Sequence, residues 1–319
     1  MMAPSFLTTP PPTVAVEIDA AEATAVALSA GRGRPSVETV AVEPLPAGLV
    51  TPSLTAANVA DPARLGARLR GLLDRLGTSP RRIALVLPDV VAKVSLVRLE
   101  QVPARQQDLA GLLQFHVRKA APFNVEEALI AWVPGAGGHE FVVTLARRDV
   151  IAEYEQACEA AGAHAGLVDL ATFNLANAVI AAEGTPSGDW LLVHVAPGYC
   201  SLAILRGADV LFFRSRPGDD HGDLGDLVHQ TAMYYEDRLG GQRFDRVRLA
   251  GWARTLGTGS DQLRQRLEGR LGMRMEQIDT RELAPFASRI GASPELLDQV
   301  APLVGILMRD RVPSPAGAR

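Results

Sequence analysis

The chain has 319 residues, of which 47% are hydrophobic and 21% charged, a composition typical of a folded protein with room for two modest domains. Its net charge of −4, from 32 basic and 36 acidic residues, lacks the basic excess of proteins that bind nucleic acid. No apolar run approaches the roughly 20 residues that cross a bilayer, and the N-terminus lacks a secretory pattern, so we expect a cytosolic protein. Segments 1–12 and 311–319 are predicted to be disordered tails.

The first predicted elements are three strands and a helix. Val14–Ile18 and Thr24–Leu28 are apolar runs, and the valines of Val37–Val42 alternate, which together predict an antiparallel meander. Leucines at three- and four-residue spacing then predict a helix that begins at Asp61-Pro62 and ends at Gly77.

A compact unit is predicted next, over residues 83–162. Its elements in chain order are the strands Ile83–Leu87 and Val91–Leu99, the helix Gln106–Lys119, the strands Ala128–Val133 and Phe141–Ala146, and a helix capped by Asp149 that ends at Gly162. The order strand, strand, helix, strand, strand, helix indicates a small subdomain.

A second meander, followed by alternating helices and strands, is predicted for the rest of the chain. The elements are the helix Thr172–Ala182, the strands Trp190–Val195, Ser201–Leu205 and Val210–Ser215, the helix Leu224–Leu239, the strand Val247–Leu249, the helix Ser260–Leu271, the strand Met273–Ile278 and a helix from Pro294 to about Asp310.

The order of elements therefore repeats, with a meander, a helix and a strand in each half. Two related α/β lobes that face a cleft form the actin-like (ribonuclease H-like) plan, here with an α+β subdomain inserted in the first lobe. We assign residues 13–82 and 163–185 to the first lobe, 83–162 to the inserted subdomain and 186–310 to the second lobe.

Two segments carry a resemblance to a known family. Residues 15–28 read AVEIDAAEATAVAL, and residues 121–132 read APFNVEEALIAW. They resemble the first phosphate turn and the Pro-Phe corner of PilM-like proteins of the type IV pilus, a family related to FtsA and to the cytoplasmic part of GspL. FtsA normally ends in a basic amphipathic helix and GspL adds a membrane span, and neither feature is expected here. The resemblance implies an actin-like fold from about Val14 to Asp310.

The resemblance also implies a nucleotide cleft with degenerate residues. Glu17 stands where the family has Asp, Asp19 where it has Gly, and His194 where a second Asp is expected. Trp252 stands within a segment that should be a run of glycines, where its indole would obstruct the adenosine. The positions assigned to the cleft are Glu17, Asp19, Ala21, His194, Gly198, Gly251 and Trp252.

We therefore expect a pseudo-ATPase with no catalytic residues and no cofactor, ATP with Mg²⁺ being the alternative. The six histidines show no metal-ligand spacing, and the two cysteines, Cys158 and Cys200, are predicted to be free thiols. No metal site is predicted.

The family's partner is implied to be PilN, an inner-membrane protein whose N-terminal cytoplasmic peptide binds beside the inserted subdomain. The predicted peptide groove is lined by Val94, Leu96, Leu112, Phe115, Phe123, Leu129 and Trp132, although the same residues could instead fill the core of the subdomain.

The expected function is a scaffold of the pilus assembly platform, cytoplasmic and peripheral to the inner membrane through its partner. Other platform components or the motor ATPase could bind as well, and self-association stays open. The alternatives are an active actin-like ATPase or kinase and an FtsA-like filament protein.

Overall fold

The computed structural model describes residues 11–29, 35–78, 80–218, 224–256, 260–288 and 290–309. Of the two predicted tails, only Pro11 and Pro12 fall within these ranges, so the prediction of disorder at 1–10 and 311–319 lies outside the described residues.

The described residues contain strands and helices in an order close to the predicted one. The strands are β1 (Val14–Ile18), β2 (Glu22–Leu28), β3 (Val37–Pro44), β4 (Arg82–Leu87), β5 (Ala92–Arg98), β6 (Ala128–Pro134), β7 (Glu140–Arg147), β8 (His164–Leu170), β9 (Asp189–Ala196), β10 (Tyr199–Arg206), β11 (Asp209–Pro217), β12 (Arg246–Ala250) and β13 (Glu276–Gln277). The helices are α1 (Pro62–Asp74), α2 (Gln106–Val117), α3 (Arg148–Ala160), α4 (Ala171–Glu183), α5 (Leu224–Leu239), α6 (Trp252–Leu256), α7 (Ser260–Leu271) and α8 (Pro294–Met308).

Two five-stranded sheets have the same topology. The first has the order β3-β2-β1-β4-β8 and the second β11-β10-β9-β12-β13. In each sheet an antiparallel meander is extended by two parallel strands, which pair with the first strand of the meander and then with each other. This repeat confirms the two-lobed arrangement predicted from the order of elements.

Helix α1 shows how the local sequence determines where a helix of the first lobe begins and which of its side chains are buried. Asp61 caps the helix, since its Oδ1 accepts a hydrogen bond from the Arg64 N–H at 2.9 Å, and Pro62 occupies the first helical position. The predicted leucine stripe is buried against the sheet: Leu65, Leu69, Leu72, Leu73 and Leu76. The helix is thus held at its start by a cap and along its length by apolar burial.

The inserted unit has its own three-stranded sheet and its own core. The strand order is β5-β7-β6, and α2 covers one face of the sheet. The core residues of this unit are Val97, Leu99, Leu113, Val117, Val125, Ala128, Phe141, Val143 and Leu145.

Two elements that the sequence analysis assigned to this unit belong instead to the first lobe. Strand β4 pairs with β1 on one side and with β8 on the other. Because it lies inside that parallel part of the sheet, its side chains are buried on both faces. Helix α3 packs on α1, with Tyr154 and Cys158 in the core of the first lobe. The inserted unit is therefore smaller than the range 83–162.

Two local predictions are also corrected. Asp149 does not cap α3, which begins at Arg148; its carboxylate lies in the first turn and accepts a hydrogen bond from Nε of Arg147 at 2.9 Å. The strand predicted over Met273–Ile278 is reduced to the two residues of β13, which pair only with Arg248 and Leu249.

Helix α8 lies between the lobes and is buried along most of its length. It packs on α4, on β1, β2 and β4 of the first sheet, and on α6 of the second lobe. A Cβ on Gly305 would lie 1.8 Å from the carbonyl oxygen of Asn174, so glycine permits the close approach of α8 and α4. Within the described ranges, no helix has the length and apolarity needed to span a bilayer.

Candidate functional site: the cleft between the lobes and the β6–β8 groove

The turn between β1 and β2 is closed by the side chain of Asp19. Its Oδ1 accepts hydrogen bonds from the backbone N–H groups of Ala21 (2.7 Å) and Glu22 (2.8 Å), and its N–H donates to the Glu22 carbonyl oxygen (3.0 Å). Aspartate stabilises turns in this way because its short carboxylate reaches nearby amides. The amides of this turn therefore already bind a carboxylate of the same chain.

Arg254 extends from α6 of the second lobe to three acidic side chains of the first lobe. Its guanidinium contacts the carboxylate of Asp19 and lies 2.6 Å from Oε1 of Glu22 and 3.8 Å from Oε2 of Glu17. Burial lowers the pKa of Arg254, but the attraction of the neighbouring carboxylates is greater and raises that pKa above its ordinary value. A charged guanidinium thus joins the two lobes across the cleft.

Glu17 is buried near the end of β1, with 6% of its surface exposed. Its Oε2 has no hydrogen-bond partner among the described residues. Burial raises the pKa of Glu17 to about 8; Arg254 opposes this shift, whereas Asp19, Glu22 and Asp89 add to it. At neutral pH Glu17 is therefore mostly protonated, and the closest contacts of the Arg254 guanidinium are with Asp19 and Glu22.

His194 takes part in a second set of buried polar contacts between the lobes. Its Nδ1 lies 2.9 Å from Oγ1 of Thr172, at the start of α4, and 3.5 Å from Oδ2 of Asp89, which follows β4. The Asp89 carboxylate also accepts hydrogen bonds from the Thr172 N–H (3.1 Å) and from its hydroxyl. The His194 ring packs edge-on against Tyr199, with centroids 5.5 Å apart. The carboxylate after β4 is therefore satisfied within the chain.

The remaining predicted cleft residues lie in two turns at the ends of strands of the second lobe. Gly198, with φ of +81°, forms the turn between β9 and β10. Gly251 follows β12 with φ of +70°, and a Cβ there would lie 2.0 Å from the Val195 carbonyl oxygen, so only glycine fits.

The structure places Trp252 differently from the expectation that its indole obstructs the cleft. Trp252 begins α6 and is 2% exposed within the core of the second lobe. Because side chains of a helix point in different directions, Arg254, two residues later, extends into the cleft and contacts Asp19.

The N-terminus of α6 is capped by Asp298 of α8. Its Oδ2 accepts a hydrogen bond from the Ala253 N–H at 2.7 Å, and the amides of Gly251 and Arg254 also face the carboxylate. Burial raises the pKa of Asp298, and these N–H groups counteract part of that rise. The backbone amides at a helix start favour an anion, and here the anion is a carboxylate of the chain itself.

Four residues of the cleft were not predicted from the sequence: Asp89, Thr172, Arg254 and Asp298. Asp89 carried a usable signal, because it lies two residues after a buried strand, and open α/β sheets bind ligands at the carboxyl ends of their strands. Arg254 carried none, since its partner Asp19 lies 235 positions earlier in the chain.

A groove opens between the inserted unit and the body of the protein. It lies between β6, the outermost strand of the inserted sheet, and β8, the outermost strand of the first sheet. Two adjoining hollows of about 400 and 330 Å³ share Ala131, Thr144, Val168 and Asp169. We call this the β6–β8 groove; its apolar lining includes Leu129, Ile130, Trp132, Val133, Leu167, Phe173, Ile180, Leu205 and Val210.

The charged groups that line this groove are paired with each other. Nη1 of Arg309 lies 3.1 Å from Oδ2 of Asp169. Burial raises the pKa of Asp169, whereas the Leu170 N–H and Arg309 lower it. The groove therefore presents a mainly apolar surface with one neutralised ion pair.

The predicted groove residues are divided among several places. Leu129 and Trp132 line the β6–β8 groove. Leu112 and Phe123 pack against the core of the inserted unit, and Val94 belongs to the core of the first lobe. Leu96 and Phe115 are 40% and 70% exposed and lie outside the groove, because their strand and helix present these positions to solvent.

Metal-binding geometry is absent from the part of the chain that the structure describes, where no group of three or more His, Cys, Asp or Glu side chains could hold an ion. Cys158 and Cys200 are both free thiols, as predicted.

Comparison with known proteins identifies the family to which this chain belongs. The profile of the family described as "Type IV pilus assembly protein PilM" matches residues 15–224. A solved PilM–PilN type IV pilus biogenesis complex superposes with a TM-score of 0.77 at 19% sequence identity, over 95% of this chain and 99% of that chain. A protein of unknown function with an actin-like ATPase fold, from Bacteroides thetaiotaomicron, gives a TM-score of 0.52 at 10% identity, over 85% of this chain and 93% of that chain.

At these identities the structural matches establish the fold, which is the predicted two-lobed actin-like fold. None of the curated protein sequences matches the chain. Because the family profile spans more than half of the residues, the chain belongs to the PilM family of type IV pilus assembly proteins.

Proposed function

We propose that this protein is a scaffold of a type IV pilus assembly platform, which binds the N-terminal cytoplasmic peptide of a PilN-like inner-membrane protein in the β6–β8 groove. Through that partner it is held at the cytoplasmic face of the inner membrane. The structural similarity to a PilM–PilN complex supports the choice of partner.

The observation that carries this proposal is an apolar groove bounded by two outermost strands. An outermost strand has backbone N–H and C=O groups that no neighbouring strand uses, and an extended peptide can pair with them. The side chains of that peptide would then occupy the two hollows beside Trp132 and Leu129. Strand pairing supplies affinity, and the apolar hollows supply selectivity.

We further infer that the cleft does not bind Mg-ATP, because its residues do not fit the nucleotide. The amides of the first turn are taken by Asp19, and the N-terminus of α6 is taken by Asp298. Arg254 extends into the space between the lobes and pairs with carboxylates that a Mg²⁺ ion would need. The protein is accordingly proposed to be a pseudo-ATPase that holds partners without turning over a substrate.

The test is calorimetry of the full chain with a synthetic peptide that matches the N-terminal cytoplasmic segment of a PilN-like protein from the same organism. Val133, 59% exposed, lines the groove, and Val102, 37% exposed, lies outside it. We expect Val133→Asp to abolish the binding heat, because a buried charge in an apolar hollow is unfavourable. Val102→Asp serves as the matched control and should leave binding unchanged.

The same titrations with and without Mg-ATP test the cleft. We expect equal peptide affinity in both conditions and no heat from Mg-ATP alone. If the peptide still binds the Val133→Asp variant, its binding site is on another surface of the protein. Clear Mg-ATP heat would contradict the pseudo-ATPase proposal without affecting the peptide result.

A further inference from the structure

A third hollow, of about 480 Å³, lies at the other edge of the inserted sheet. It is bounded by β5, by the loop between β6 and β7, and by β10, β11 and the end of α5 in the second lobe. We call it the β5–β11 hollow. None of its lining residues belongs to the β6–β8 groove or to the cleft between the lobes.

The hollow is lined by apolar and basic side chains. Leu96, 40% exposed, lies with Leu211 and Leu239 on its surface. Arg98 and Arg238 also line it, are both exposed, and have no hydrogen-bond or ion-pair partner among the residues that the structure describes.

A third arginine lines the hollow and is already paired. Arg206 binds Asp189 through two hydrogen bonds of 2.7 and 2.8 Å, yet 56% of its side chain remains exposed. The acidic residue that lines the hollow is Glu140. The hollow is therefore cationic on a protein whose net charge is −4, in contrast to the neutral ion pair of the β6–β8 groove.

The hollow also lies between two outermost strands. β5 is the last strand of the inserted sheet on this side, and β11 is the last strand of the second sheet. Exposed outermost strands offer backbone hydrogen bonds to an added extended chain. Unpaired arginines beside them favour carboxylates, which bind guanidinium groups through two parallel hydrogen bonds.

We propose that the β5–β11 hollow is a second docking site, which binds an extended acidic peptide segment of a partner protein. The Asp or Glu residues of that segment bind Arg98 and Arg238, and its apolar residues contact Leu96 and Leu211. The site is independent of the β6–β8 groove, so one molecule binds two different segments at the two edges of the inserted sheet.

The test uses a random short-peptide library selected on the full chain. The selected pool is then compared on three variants: Arg98→Glu/Arg238→Glu, the control Arg64→Glu/Arg118→Glu with the same change in net charge at other exposed positions, and Trp132→Ala in the β6–β8 groove. We expect a class of peptides with net negative charge that is depleted at least about tenfold on the first variant and retained on the other two.

Individual peptides of that class should bind more weakly as salt is raised, because exposed charge pairs are screened. Arg98→Ala/Arg238→Ala adds no repulsive charge and should weaken binding by a smaller factor. This variant still tests the site if the charge-reversed protein misfolds. The proposal is overturned if no acidic class depends on Arg98 and Arg238. It is also overturned if that class is lost equally on the control variant.

Discussion

The cleft between the lobes and the β6–β8 groove differ in whether their polar and apolar groups already have partners within the chain. In the cleft, backbone amides bind Asp19 and Asp298, and carboxylates bind Arg254. In the groove, the ion pair of Asp169 and Arg309 is closed, while apolar side chains and two outermost strands face open space.

This difference separates a cleft whose polar groups are bonded within the chain from an apolar groove that stays open. A binding site keeps surface whose burial or hydrogen bonding would lower the free energy, and the groove has such surface. In the cleft, a ligand would first have to displace ion pairs and hydrogen bonds that the chain already makes. The cleft between the lobes is therefore closed by the chain's own groups, while the open surface lies beside the inserted unit.

The largest expected effect concerns the arginine that fills the cleft. Arg254→Met leaves the buried Asp19 and the half-buried Glu22 without their cation, and we expect the free energy of unfolding to fall by about 3 to 5 kcal/mol. Urea denaturation measures this change. Asp19→Asn in the same chain should recover part of the loss, and a fall below about 1 kcal/mol would show that the cleft is not held by these charges.

The second prediction concerns the pH dependence of stability. Glu17 has a pKa raised from 4.5 to about 8 by burial, so above pH 4.5 the folded protein retains a proton that the unfolded chain releases. Its contribution to stability is therefore complete below pH 4.5 and is lost as pH rises to about 8.

Relative to Glu17→Gln, we expect the wild-type protein to lose on the order of 5 kcal/mol across this range. Urea denaturation at a series of pH values measures the difference. Glu126→Gln, at an exposed position, should leave the wild-type profile unchanged. Parallel profiles for wild type and Glu17→Gln would contradict the raised pKa.

The third prediction tests the groove. Trp132→Ala removes the largest apolar side chain that lines it, and we expect a loss of about 2 kcal/mol in the free energy of peptide binding, measured by calorimetry. Phe115→Ala is the matched control, because this aromatic residue of the same unit is 70% exposed outside the groove. Equal losses for both variants would point to a general effect on the inserted unit.

The smallest expected effect compares two ion pairs of equal length. Arg270 lies 2.6 Å from Asp226, the distance that also separates Arg254 from Glu22, but the side chains of Arg270 and Asp226 are 49% and 66% exposed. Arg270→Met should therefore change the free energy of unfolding by less than about 1 kcal/mol. A loss equal to that of Arg254→Met would mean that burial does not distinguish the two pairs.

The secondary structure was largely predictable, because leucine spacing and strand alternation are local signals. The leucines of α1 and the three apolar strands before it are found where the pattern predicts them. The assignment of β4 failed, because its sheet partners β1 and β8 are set by the tertiary fold and not by neighbouring residues.

The sites were less predictable than the elements. The departures at Glu17, Asp19 and His194 indicated an altered cleft, but the contacts that close it join residues far apart in the chain. Of the residues predicted for a peptide groove, Leu129 and Trp132 on β6 line the β6–β8 groove. Placing Phe115 and Phe123 required knowledge of which way each side chain points.

Helix α8 has a consequence for how the chain folds during synthesis. It covers β1, β2 and β4, and Gln299 bonds to Glu22, 277 positions earlier in the chain. A ribosome therefore releases the whole inserted unit and most of the second lobe before the first sheet receives its cover. Until Pro294–Met308 emerges, the nascent first lobe exposes an apolar face, and a chain cut upstream of this helix would aggregate rather than yield a free lobe.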